Sequence, residues 1–152
     1  MHLANYLGYL RQAELDLADG YRKVGEAHAQ EADVYHLTHT LAKQCEAHAE
    51  KLEPLVDRYG EEKPQEPEKL YHEFFEETRS GSLGLLRDMH DLYLMVSACD
   101  ISWVMIGQAA QGVRDRELLE LVNSCENETD NQLKWIRTRM KVAAPQTLIV
   151  AS

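Results

Sequence analysis

The stretch LAKQCEAHAEKLEPLVDRYG, residues 41–60, decides the fold. Leu41, Cys45, His48, Leu52, Leu55 and Tyr59 recur at alternating spacings of four and three, which draws one continuous seam along an α-helix. Pro54 inside this run predicts a kink, and Gly60 predicts its end. Working back toward the N-terminus, the pattern resets around residues 29–32, and Asp33 is a candidate cap for a helix over 33–59. Before it, Leu3, Leu7, Leu10, Glu14, Leu17, Tyr21, Val24 and His28 keep the same spacing and predict a first helix over 2–28. Gly20 and Gly25 weaken that helix without breaking it.

Working forward, residues 60–82 change in composition. Glu61 to Pro67 reads as a solvated acidic loop, 68–78 as a short amphipathic helix with Leu70, Phe74 and Phe75 on one side, and Ser80-Gly81-Ser82 as a break. A third helix follows over 83–111, with Leu85, Met89, Leu92, Val96, Cys99, Trp103, Ile106 and Ala110 on its seam. A fourth is predicted over 115–143, with Leu119, Val122, Glu126, Thr129, Leu133, Ile136, Met140 and Ala143 inward. Pro145 is expected to stop it, leaving an apolar tail over 144–152.

These elements predict an all-α, single-domain four-helix bundle over 1–143. Helices one and two, and three and four, are joined by short turns, so each pair is expected to form an antiparallel hairpin. Between the hairpins, 60–82 is far longer than a simple turn. It matches a crossover running the length of a helix of roughly 40 Å.

Composition narrows the function classes. Sixteen basic residues against 26 acidic ones leave a formal charge of −10, which argues against nucleic acid or an anionic membrane as a partner. Residues 92–110 are apolar enough to suggest a membrane span, but Asp100 at their centre would cost about 3 kcal/mol on insertion scales. A buried bundle helix is the better reading. Three cysteines without a dense spacing suit a reducing compartment, and no leader of the secretory kind is evident, so a cytoplasmic location is expected.

Several seam positions carry polar chemistry where a core would be apolar. They are Glu14 on helix one, Cys45 and His48 on helix two, Asp100 beside the seam of helix three, and Glu126 with Thr129 on helix four. Hairpin symmetry places all of them at mid-height, so a single buried site is expected to gather Glu14, His48, Asp100 and Glu126. Cys45, His48 and a carboxylate are a donor set suited to a borderline-soft ion such as Zn²⁺. His28 and His90 are expected near one end of the bundle, and His36 and His39 on a solvated face with Lys43 and Glu46.

With these residues in place, the chain resembles the ferritin-like superfamily of four-helix bundles over nearly its whole length. That resemblance implies two iron or manganese ions held by a Glu of helix one and a Glu-x-x-His of helix two, repeated by helices three and four. Glu14 matches the first ligand. Cys45-Glu46-Ala47-His48 matches the second motif with Cys45 in place of Glu, and Asp100 stands near the third position. Glu126-Asn127-Glu128-Thr129 keeps the Glu and replaces the His with Thr. A shift by one residue instead pairs Cys125 and Glu128 with Cys45 and His48. The first alignment is preferred because it keeps Leu133, Ile136 and Met140 on the seam.

The substitutions leave the metal centre degraded. Three readings stay open: a buried hydrogen-bonded network, a single Zn, Fe or Mn ion, or a working two-metal centre. The expected role is that of a non-catalytic or singly metallated bundle, with a metal-dependent oxidoreductase acting on oxygen or peroxide as the alternative. The width of the helix-three stripe and the apolar tail predict a two-fold homodimer.

Overall fold

A computed structural model describes residues 2–60 and 79–150 of the 152-residue chain. The described residues are helical almost throughout, in four long helices: α1 Leu3–Ala27, α2 Ala32–Tyr59, α3 Gly81–Gly112 and α4 Arg116–Pro145. The short helix expected at 68–78 lies outside the described residues. The ends differ from expectation by a few residues. Glu31, rather than Asp33, is the N-cap of α2, and Asp33 sits in its first turn. Asp115 caps α4 by accepting a hydrogen bond from the Leu118 backbone N–H at 3.0 Å. Pro145 does not end the helical path, because a single π-turn, Gln146–Val150, continues from it and buries Thr147.

Hydrophobic periodicity accounts for the core. Every predicted seam residue of α1 is buried, as is every one of α3. On α2 the buried positions continue the predicted stripe backward through Thr38 and Val34. Gly25 lets α1 run close past Thr38, whose hydroxyl is turned back onto the Val34 carbonyl at 2.7 Å. The correction falls on α4. Its buried stripe is Leu118, Val122, Cys125, Thr129, Gln132 and Ile136. Leu119, Glu126, Leu133 and Met140 are only half-buried at its flank. The inward face is therefore rotated by one residue at alternate positions, because Gln132 is buried with its hydrogen bonds satisfied while Leu133 lies beside it.

Polar contacts fix which helix ends meet. Arg58 and Tyr59 at the end of α2 reach Asp115 at the start of α4, the tyrosine hydroxyl at 2.6 Å. At the other end, His28 after α1 meets Asp88 near the start of α3 at 2.8 Å. Arg79 donates to Asp88 and Asp91, each at 2.8 Å. Arg139 late on α4 bonds Asp33 at the start of α2 at 2.7 Å. The helices of each consecutive pair, α1 with α2 and α3 with α4, pack closely, α1 also lies against α3, and α2 touches α4 only slightly. The helix α3 is long and apolar enough to cross a membrane by length and composition. Here its inner face forms the centre of the bundle, with Trp103 fully buried.

Candidate functional site

The sparse α2–α4 contact is where the buried polar residues collect, because long polar side chains bridge a gap that close backbone packing does not fill. Four helices contribute. Glu14 from α1 is 1% exposed, and its Oε1 accepts a hydrogen bond from Trp103 Nε1 of α3 at 2.9 Å. The same oxygen lies 3.3 Å from His48 Nδ1 of α2. The other ring nitrogen, His48 Nε2, lies 3.3 Å from Glu128 Oε1 of α4. The second Glu128 oxygen accepts from Gln44, whose carbonyl accepts from Gln132 Nε2 at 2.7 Å. Gln132 Oε1 in turn accepts from Tyr21 at 2.9 Å, and Cys45 Sγ lies 3.7 Å from it. Trp103 meets the His48 ring edge-on, with centroids 5.9 Å apart.

The electrostatics follow from this geometry. Burial opposes a charge on His48, but hydrogen bonding to Cys125 and Glu14 and the charge of Glu14 outweigh it, and the imidazole is pushed up to about 10. His48 is thus an imidazolium through neutral pH, both N–H groups donating. Burial and the Glu14 charge push the Cys45 thiol well above its ordinary range, so it stays protonated. Burial does the same to Tyr21, aided by Cys45 and Glu14.

Of the residues expected to share one site, Glu14 and His48 lie together, with Cys45 beside Glu14. Of the α4 candidates, Glu128 reaches His48, which is the second alignment with Cys125 facing the histidine. Glu126 is half-buried and is not a partner of His48. Asp100 is likewise half-buried outside the cluster, and burial together with the charge of Asp130 raises its carboxyl. Thr129 turns its hydroxyl onto the Cys125 carbonyl at 2.7 Å rather than toward His48. Tyr21, Trp103 and Gln132 are members that sequence reading assigned to packing or passed over. A glutamine at a seam spacing, seven residues after Cys125, was the available signal for Gln132.

The donor chemistry does not fit a metal ion. A ligating imidazole must offer a lone pair, and both His48 nitrogens are spent on carboxylates. Among the described residues no group of three or more His, Cys, Asp or Glu side chains is placed to hold an ion. What the arrangement does is hold one buried cation between two carboxylates and tie all four helices together. Comparisons of the chain with family models, with curated proteins and with solved structures give no match in any of the three.

Proposed function

We propose that the chain is a ferritin-like bundle in which a buried charge network occupies the place of the metal centre, and that it acts as a structural or interaction module rather than an oxygen-activating enzyme. The observation that carries this reading is His48, held by Glu14 and Glu128 from two other helices with no nitrogen left to bind metal. The helix ends support the same architecture. The end of α2 meets the start of α4, and the start of α3 meets the end of α1, so α2 ends and α3 begins at opposite ends of the bundle, as in the ferritin-like arrangement.

The test is elemental analysis of protein made in iron-, manganese- and zinc-supplemented medium, with melting followed on adding each ion. The expected result is substoichiometric metal and an unchanged melting temperature. A specific site at 100 times its dissociation constant would add about 2.7 kcal/mol. A stoichiometric ion that disappears in Cys45→Ser overturns the reading.

The network leaves surface chemistry to make partners, and we propose a homodimer through the outer face of α3. Ile101 and Met105, one turn apart, are 54% and 43% exposed there. Light scattering at micromolar concentration is expected to give twice the chain mass, falling to one chain in Ile101→Glu with Met105→Glu. A monomeric parent protein refutes the dimer. The acid surplus of the whole chain supports a protein partner over nucleic acid, and a cytoplasmic setting with no membrane remains part of the same proposal.

A further inference from the structure

Acidic residues outnumber basic ones in this chain, yet the charged residues that line one groove are all basic. It lies between the first half of α3 and the last turns of α4, with Leu148 of the π-turn at one end, and has a volume of about 690 Å³. Its floor is apolar, with Leu86, Tyr93, Met140 and Leu148 at its surface. Its banks carry Arg87 and His90 from α3 and Arg137 and Lys141 from α4, and among the described residues no carboxylate lines it. Among the described residues Arg22, Arg58, Arg79 and Arg139 are each neutralised by an acidic partner, whereas Arg87, Arg137 and Lys141 enter no ion pair.

We propose that this groove binds a free long-chain fatty acid. The volume falls in the range of small-molecule sites, about 300–1,000 Å³. An acyl chain removes the apolar floor from water, which is the main driving force available to such a ligand. Its carboxylate neutralises cations that have no ion-pair partner among the described residues, and arginine suits it because the guanidinium fork matches carboxylate geometry. Cations stand on both banks, so a ligand lying in the groove meets positive charge from two helices, whereas a flat membrane meets only the outward tips. The charge of the banks also selects against a neutral alcohol of equal length. This site is separate from the His48 network and lies two turns along α3 from Ile101.

The experiment is calorimetric titration of the full chain with dodecanoate below its micelle concentration, beside dodecanol, dodecyltrimethylammonium and vesicles of phosphatidylglycerol. Saturable binding of one dodecanoate per chain is expected, at least about tenfold tighter than either other head group. Arg137→Glu with Lys141→Glu, both exposed positions, is expected to weaken dodecanoate by about tenfold or more while the melting temperature holds. Met140→Asp, in the floor, is expected to abolish binding, and amide shifts in the parent protein on adding dodecanoate should centre on Leu86 and Ala144. Absence of saturable binding overturns the proposal. So does equal affinity for the three head groups, undiminished binding in the charge-reversed variant, or binding to vesicles without binding to monomeric dodecanoate.

Discussion

Glu14→Ala is expected to lower the free energy of unfolding by about 3–5 kcal/mol, the cost of stripping one partner from a buried charge pair. Among the described residues the carboxylate is the only group that accepts from Trp103 Nε1, and the same oxygen faces the His48 imidazolium. Among the described residues, removing it leaves a buried N–H without an acceptor and a cation with Glu128 as its remaining counter-charge. Glu128 cannot compensate fully, because its side chain is 34% exposed and its attraction is screened. Glu14→Gln keeps an acceptor for Trp103 but loses the charge, so a smaller loss of about 1–3 kcal/mol is expected. Glu14→Leu combined with His48→Leu removes both charges together and is expected to cost less than Glu14→Ala alone, since paired removal leaves nothing buried and unpaired. Urea unfolding at neutral pH measures all three. A loss below about 1 kcal/mol for Glu14→Ala would mean that the network does not hold the bundle together.

How much of this was legible in the sequence depends on which residue breaks the apolar rhythm. On α1 and α3 every residue that periodicity places on the seam is buried, while Ala4 and Ala18 of α1 and Asp88 and Ser102 of α3 are buried beside it. On α4 hydrophobicity favours Leu133 and Met140, but the bundle buries Gln132 instead. A buried glutamine is tolerated when both ends of its amide are bonded, and here Tyr21, Gln44 and Cys45 supply the partners from two other helices. None of those partners is near in sequence, so a one-helix reading had no means to rank Gln132 above Leu133. The same rotation exchanges Glu126 for Glu128. The half-repeat between Cys45-Glu46-Ala47-His48 and Cys125-Glu126-Asn127-Glu128 did contain the right alignment, and it was set aside for the sake of Leu133. Trp103 was legible as core but not as a donor, since that needs the position of Glu14 across the bundle. The pairing of His28 with Asp88 was hidden for a related reason. Asp88 is fully buried, and its acceptance of His28 and Arg79 depends on how the two hairpins dock.

The bundle is expected to lose stability as pH rises from about 6.5 to 10, well before its surface lysines titrate. The cause is His48, whose folded value of about 10 exceeds that of an unfolded imidazole, about 6.5. A group held protonated by the fold contributes its full stability below the unfolded value, where both states carry the proton. That contribution is lost as pH climbs toward the folded value, because only the unfolded state then releases the proton. The slope for one such proton is about 1.4 kcal/mol per pH unit, so the whole window is worth on the order of 3–5 kcal/mol. Groups facing the ring from every side act in the same sense. Glu14 of α1 and Glu128 of α4 stabilise the cation, and Cys125 bonds it. Above pH about 9 the buried thiol of Cys45 and the hydroxyl of Tyr21 add to the loss, since burial keeps both protonated in the fold while the unfolded chain ionises. His48→Gln removes the first limb and leaves the second. Its midpoint of urea unfolding is expected to be lower than that of the parent protein at pH 6.5 but nearly level up to pH 9, so the two profiles converge as pH rises. A parent profile that stays level to pH 9, or a His48 ring that loses its proton near pH 6.5 by nuclear magnetic resonance, would show that the two carboxylates do not hold a buried cation.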